Sequence, residues 1–78
     1  MSISSSIPTH LLLGQKLRHY KGGIYTVVGY CMIEATLQPG ILYCAEQGDK
    51  SVTWLRPLVE FDQDIGTENG TVKRFVPI

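Results

Sequence analysis

Short apolar runs separated by glycine-containing turns follow one another along most of the chain. The runs span residues 16–20, 24–37, 41–46, 51–55, 58–65 and 71–78, and β-branched and aromatic residues are frequent in them. Gly22-Gly23, Gln38-Pro39-Gly40 and the segments 47–50 and 66–70 separate the runs. This spacing predicts a mainly β domain, either a small antiparallel barrel or a strongly bent sheet of five to six short strands.

The second run is long and apolar on both of its alternating sets of positions. Because neither set is cleanly polar, the strand is expected to be covered on much of both faces. Gly29 within it predicts a bend or bulge. If Gln38 and Pro39 form a two-residue turn, Ile33 faces Cys44 and Cys31 faces Glu46, which places the two cysteines diagonally on one face.

The first thirteen residues differ from the rest, because they are serine-rich and show no periodic pattern. Residues 1–13 are predicted to form a flexible leader, within which Thr9 caps one short helical turn that Gly14 ends. Residues 14–78 form the single predicted domain. The leader lacks a basic region and a long apolar core, so we expect a cytoplasmic protein that does not associate with membranes.

Composition limits the partners. The chain has 78 residues and a formal net charge of +0, which argues against long nucleic acid as a partner and makes any anion site local. A hydrophobic content of 44% in so small a domain favours a homo-oligomer. Cys31 and Cys44 lack metal-ligand spacing and are predicted to be buried thiols, so no metal and no cofactor are expected.

The sequence gives only weak evidence for a set of catalytic residues. His19 could meet Cys31 or Cys44 in the fold, but neither cysteine has a neighbouring basic residue that would lower the pKa of its thiol. Glu60, Asp62 and Asp64 alternate in sequence and would share one face of a strand, where they could hold a cation or act as acid and base. A solvated strand edge is the favoured interpretation of this row. The domain is therefore expected not to be an enzyme, and a small hydrolase is the least favoured alternative.

A basic and aromatic set carries the strongest chemical signal. Arginine binds phosphate or carboxylate through paired hydrogen bonds, and tryptophan and tyrosine offer flat surfaces for stacking. Together these side chains predict a site for a planar anionic ligand such as a nucleotide. The candidate ligand-binding residues are Arg18, Tyr20, Lys21, Tyr25, Trp54 and Arg56.

Each member of this set also has a structural interpretation. Trp54 is favoured as the main filler of the small core. Arg56 pairs either with a carboxylate, Asp49 or Glu60, or with the ligand. Tyr20 and Tyr25 flank the Gly-Gly turn and are expected to brace the hairpin as a cross-strand pair.

The chain resembles a known family. The residues that carry the resemblance are "LRHYKGGIYTVVG", "ATL", Gly48-Asp49, "TWLRPLVEF" and the final "KRF", which together cover about residues 14–75. These motifs are similar to DUF1653, a family of small bacterial and phage domains of unknown function. The resemblance implies a compact, mostly β domain of the SH3-like barrel type. The chain departs from the family at residues 33–36, where Ile-Glu-Ala-Thr stands in place of His-Ser-Glu-Thr.

Two classes of function stay open. The first is a non-catalytic domain that binds a small anionic, nucleotide-like ligand, which in a phage context would sequester a nucleotide signal. The second is a protein-interaction module that presents aromatic side chains or a strand edge to a protein partner. The fold cannot choose between them, because function depends on the site.

Overall fold

Seven strands and two single-turn 3-10 helices make up the described part of the chain, residues 7–78 of a computed structural model. The 3-10 helices are Thr9–Leu11 and Leu58–Glu60. The strands are β1 Lys16–His19, β2 Ile24–Ile33, β3 Gln38–Ala45, β4 Trp54–Pro57, β5 Asp64–Thr67, β6 Gly70–Lys73 and β7 Phe75–Pro77.

The strands form one five-stranded antiparallel sheet and one hairpin. The sheet has the order β4-β3-β2-β1-β7, and β5 pairs with β6. The predicted mainly β, antiparallel architecture is therefore confirmed. The closed-barrel alternative is wrong, because β4 and β7 lie at opposite ends of the strand order and do not pair with each other. Within the described residues, no helix is long and apolar enough to span a membrane.

The β1–β2 hairpin closes at the Gly-Gly turn, as the sequence predicted. Leu17 pairs with Tyr25 and Arg18 with Ile24. The amide of Gly22 donates a hydrogen bond of 2.8 Å to the His19 carbonyl, and Gly22 has φ of +105°. This left-handed conformation costs glycine little because it has no Cβ, so the turn requires glycine for backbone geometry alone.

The turn between β2 and β3 lies earlier than predicted. It occupies residues 34–37, and Leu37 adopts φ of +56° while its amide donates to the Ile33 carbonyl over 2.7 Å. Gly40 lies inside β3, where a Cβ would approach Leu55 Cδ1 to 2.5 Å. The Pro-Gly pair therefore lies within a strand and not in the predicted turn, and Gly40 allows close packing between strands.

The shifted turn also changes the cysteine register. Cys31 pairs with Gly40, and Cys44 pairs with Thr26. The predicted diagonal arrangement is therefore wrong, and both cysteines are free and partly rather than fully buried. The predicted irregularity at Gly29 is confirmed, since the register of β2 against β3 shifts between Val27 and Gly29.

The core lies on one face of the sheet and also includes residues outside it. Its buried members are Leu11, Leu17, Val27, Ile41, Tyr43, Phe61 and Phe75. The first 3-10 helix contributes Leu11, whose carbonyl accepts a hydrogen bond of 2.7 Å from the Tyr30 hydroxyl. The predicted N-terminal turn is thus present, although Pro8 precedes it and no side chain caps it. Residues 1–6 of the predicted leader lie outside the described residues.

The predicted fifth strand is mostly not a strand. Residues 58–60 form the second 3-10 helix, and β5 begins only at Asp64. This arrangement turns Phe61 fully into the core, where its ring stacks on Phe75 with centroids 4.7 Å apart. The burial of one large aromatic side chain overrides the alternating pattern of the segment.

Candidate functional site

An aromatic pocket lies at the end of the core face of the sheet. Alternation along β1 directs Leu17 inward and His19 to the same side. Strand pairing then places Phe75 opposite His19, Tyr25 opposite Leu17, and Trp54 opposite Tyr43. The resulting pocket has a volume of about 190 Å³ and is lined by His19, Tyr25, Tyr43, Trp54, Arg56 and Phe75.

The ring walls of the aromatic pocket support one another. Tyr25 meets Tyr43 edge-on with centroids 5.4 Å apart, and it meets Phe75 in the same manner at 5.9 Å. Tyr43 also contacts Phe61 at 5.4 Å and an interplanar angle of 86°. Edge-to-face contacts of this kind are favourable for aromatic quadrupoles and fix the orientation of the rings. The contacts among the rings thus hold the walls of the pocket in fixed orientations.

Trp54 lines the aromatic pocket but does not fill the core. It is 51% exposed, whereas Phe61 is 0% exposed and Phe75 is 4% exposed. The prediction that Trp54 is the main core filler is therefore wrong. Trp54 lies on the edge strand β4, and its half-exposed ring is accessible from solvent.

Arg56 is held beside the rings by an ion pair. Its Nη1 donates a hydrogen bond of 2.8 Å to Glu60 Oε1, four positions further along the chain. The alternative partner Asp49 instead accepts hydrogen bonds from the amide and hydroxyl of Ser51. Arg56 Nε is buried and has no hydrogen-bond partner within the described residues.

The charge of Arg56 is stable in this position. Burial by itself would lower the pKa of Arg56, but hydrogen bonding and charge attraction from Tyr43 and Glu60 outweigh it and raise the pKa. One carboxylate engages only part of a guanidinium that has five donors. Arg56 therefore places a permanent cation in the wall of the aromatic pocket.

A second cavity, the basic groove, lies between the end of the sheet and the β5–β6 hairpin. It has a volume of about 370 Å³ and an open form. Arg18 and Val76 come from paired strands of the sheet, and Lys73 comes from the hairpin. The side chains that line the groove include Arg18, His19, Tyr20, Asn69, Val72, Lys73 and Val76.

His19 is the wall that the two cavities share. Its ring contacts Tyr20 at a centroid distance of 4.6 Å and Phe75 at 5.0 Å. Burial lowers the pKa of His19, and the positive charges of Arg74, Arg56 and Lys21 lower it further. The ring is thus a neutral group at pH 7 within a locally positive region, although the chain as a whole has no net charge.

The candidate residues divide between the two cavities. Tyr25, Trp54 and Arg56 line the aromatic pocket, whereas Arg18 and Tyr20 line the basic groove. Lys21 lines neither cavity, and its Nζ lies over the Tyr20 ring at 5.7 Å from the centroid.

His19 was not among the candidate residues. Alternation along β1 points His19 away from Arg18 and toward Phe75 and Tyr25. Tyr20 and Tyr25 each contact His19, and no ring contact joins the two tyrosines within the described residues. The predicted tyrosine pair is thus replaced by two contacts with the histidine ring. The signal available in the sequence was a histidine at an inward-facing strand position.

The three alternating carboxylates do not form a site. Glu60 pairs with Arg56, Asp62 with His10, and Asp64 with Lys73. They do not share a strand face, because the 3-10 helix and the following turn separate them. Within residues 7–78, no group of three or more histidine, cysteine or acidic side chains is arranged to hold a metal ion.

Comparison with known proteins gives a family and a fold. The sequence model of the family described as "Protein of unknown function (DUF1653)" matches residues 15–77. A crystal structure of a DUF1653 protein from Bordetella bronchiseptica is similar, with a TM-score of 0.74 and 21% sequence identity. The similarity covers 91% of this chain and 92% of that chain. No curated protein matches the sequence.

Proposed function

The chain belongs to the DUF1653 family, and we propose that it is a non-catalytic binding domain for a small, planar, anionic ligand of the nucleotide type. The observation that carries the proposal is the position of Arg56 at a pocket whose other walls are aromatic rings. A planar ring would stack on these walls, and an anionic or carbonyl oxygen would accept from the guanidinium.

The size and polarity of the aromatic pocket support this class of ligand. A volume of about 190 Å³ is below the range of about 300–1,000 Å³ that is typical for drug-sized ligands, so the pocket suits one flat ring system. Glu60 already engages the guanidinium from one side, which fixes its orientation without saturating its donors. The remaining walls are supplied by His19 and four aromatic side chains.

Local charge favours an anion. Arg56, Arg74 and Lys21 all act on the His19 ring. Lys21 and Arg74 form no ion pair within the described residues, so their charges are compensated less than those of Lys16 and Lys73. A site of this kind attracts a small anion while the zero net charge of the chain gives no broad attraction to long nucleic acid.

Thermal unfolding with a nucleotide panel tests the proposal. Wild-type protein is titrated with nucleoside monophosphates and cyclic dinucleotides, and a binding ligand raises Tm with concentration, by the equivalent of about 2.7 kcal/mol at one hundred times Kd. Arg56→Gln is expected to abolish the shift. Glu60→Gln breaks the same ion pair but keeps the cation, so the shift should persist in that variant.

Two results would count against a nucleotide site. The first is an unchanged Tm across the whole panel at millimolar concentrations. The second is equal loss of the shift in folded Arg56→Gln and Glu60→Gln variants, because this would mean that the shift does not depend on the Arg56 cation alone. Far-UV circular dichroism establishes that each variant is folded.

A protein-interaction module of the SH3-like type is the second candidate. It is favoured by the free edge of β4, which pairs with β3 alone within the described residues and carries the half-exposed Trp54 and Leu55. An extended peptide adding to this edge would gain main-chain hydrogen bonds. A partner whose binding is lost in Leu55→Asp but retained in Arg56→Gln would support this alternative over the nucleotide site.

We propose that the domain acts in the cytoplasm. In a phage context it would sequester a nucleotide signal and so prevent the signal from binding its receptor. Several large apolar side chains are at least half exposed, among them Leu13, Leu37 and Val59, and they support self-association. Sedimentation velocity over a range of protein concentrations tests the homo-oligomer directly.

A further inference from the structure

The basic groove contains hydrogen-bond donors that the fold does not use. The Arg18 guanidinium has neither an ion pair nor a hydrogen-bond partner within residues 7–78, and Arg18 is exposed on β1. The side-chain amide of Asn69 and the hydroxyl of Tyr20 also have no hydrogen-bond partner in the described part of the chain. Thr67 differs, because its hydroxyl is already engaged with Gly70 and Asn69.

The groove is also positive. Arg18 lines it directly, and the Lys21 ammonium lies next to it over the Tyr20 ring. Lys73 pairs with Asp64, so it contributes less net charge. No aspartate or glutamate is among the described residues that line the groove. Val72 and Val76 form its apolar walls, which weaken the screening of these charges by water.

His19 is a wall of both this groove and the aromatic pocket. Its ring lines both cavities, and its Nδ1 accepts a hydrogen bond of 3.2 Å from the Lys21 amide. In the neutral ring, Nε2 therefore carries the hydrogen and can act as a donor. The imidazole is therefore a wall of each cavity.

We propose that the basic groove binds the phosphate of the ligand whose planar ring occupies the aromatic pocket. Arg18 is the principal phosphate contact, Asn69 and Tyr20 are additional donors, and His19 lies along the linker between ring and phosphate. This inference rests on the proposed function. It narrows the ligand class from planar anions in general to nucleoside phosphates.

Calorimetric titration with matched pairs of ligands tests the inference. Adenosine and guanosine are compared with their 5′-monophosphates on wild type, Arg18→Gln, Trp54→Ala and Lys50→Gln. The monophosphates should bind wild type at least about tenfold more tightly than the nucleosides. Arg18→Gln should remove most of that difference while leaving nucleoside affinity within about twofold. Trp54→Ala should weaken both members of each pair.

Lys50→Gln is the matched control, because Lys50 is an exposed cation that lines neither cavity. It should leave all affinities unchanged. Inorganic phosphate is expected to compete with the monophosphates but not with the nucleosides. Urea unfolding of each variant establishes that the substitutions leave the fold intact, which the exposure of Arg18 leads us to expect.

Two failures are distinguishable. If nucleosides and monophosphates bind equally well and Arg18→Gln changes neither, the groove is not a phosphate site, while Trp54-dependent nucleoside binding would still support the proposed function. If wild type binds none of these compounds, the proposed function fails and this inference fails with it.

Discussion

The backbone N–H of Lys21 donates a hydrogen bond to Nδ1 of His19 over 3.2 Å. The contact ties the Gly-Gly turn to the histidine that lines both cavities. It also fixes the ring chemistry, because an Nδ1 that accepts leaves the hydrogen of the neutral ring on Nε2. The motif "RHYKGG" is thus more than a turn: its Lys21 amide sets the tautomer of His19.

The stability of the protein should fall as His19 becomes protonated. Burial and the charges of Arg74, Arg56 and Lys21 lower the pKa of His19 from its ordinary value of 6.5. At pH values between the lowered pKa of His19 in the folded chain and its ordinary pKa of 6.5 in the unfolded chain, the unfolded chain binds more protons at this residue than the folded chain does. The free energy of unfolding therefore decreases as the pH falls below 6.5, and His19 contributes its full stability only above that value.

Urea unfolding from pH 5 to pH 8 measures this effect. His10 is the other histidine of the chain, and its Nε2 lies 2.9 Å from Asp62 Oδ1, so His10→Gln is introduced into both chains that are compared. His19→Gln should reduce the loss of stability on the acid side. A pH profile that is identical with and without His19 would contradict the prediction.

Trp54→Ala and Phe61→Ala should differ strongly in stability. Phe61 is 0% exposed and stacks on Phe75, so its truncation should cost about 3–5 kcal/mol. Trp54 is 51% exposed at an edge strand, so its truncation should cost less than about 2 kcal/mol. Chemical unfolding followed by circular dichroism gives both values. Equal costs would mean that Trp54 is a core residue after all.

Gly40→Ala should destabilise the sheet through contact with Leu55. The new Cβ would lie 2.5 Å from Leu55 Cδ1 and 3.0 Å from Cys31 Sγ. We expect a cost of about 1–2 kcal/mol, because the leucine must leave its position. The cost should shrink in a Leu55→Ala background, where a double-mutant cycle isolates the clash. Gly66→Ala is the control, since nothing lies within 4 Å of its Cβ position and it should be nearly neutral.

Mild oxidation should not link the two cysteines within one chain. Cys31 pairs with Gly40, and Cys44 follows Gly40 by four positions on β3. At a rise of about 3.3 Å per residue, this places them about 13 Å apart along the strand. A disulfide requires Cα atoms within about 7 Å. Alkylation and mass spectrometry after treatment with oxidised glutathione should therefore find no intramolecular bridge, whereas a mass lower by two hydrogens would overturn the observed register.

The sequence predicted those features of the sheet that depend on a few adjacent residues. The Gly-Gly turn and the irregularity at Gly29 were both readable, because turn geometry and bulges depend on a few adjacent residues. The turn at residues 34–37 was not readable. Position 40 requires glycine because the Leu55 side chain of another strand packs against it. The Pro-Gly pair is therefore part of a strand.

In the candidate site, too, the sequence indicated what depends on residue type, and the tertiary structure decided what depends on distant segments. The sequence identified Arg18, Tyr25 and Arg56 as chemically informative, and the structure distributes them over two adjoining cavities. It could not indicate that His19 joins those cavities, because this depends on Phe75, 56 positions later along the chain, pairing opposite His19 in the sheet. Nor could it separate Glu60, Asp62 and Asp64, since their separation depends on the burial of Phe61.

By itself, the sequence determined the β architecture, the family and the residue types that suit an anionic planar ligand. Periodicity, turn composition and side-chain chemistry are properties of short segments, so they survive without knowledge of the fold. Only the tertiary structure decided which rings pack in the core, which of them face solvent, and which cations share a cavity. Those outcomes depend on strand register across distant segments, where a shift of one residue moves every side chain to the other face.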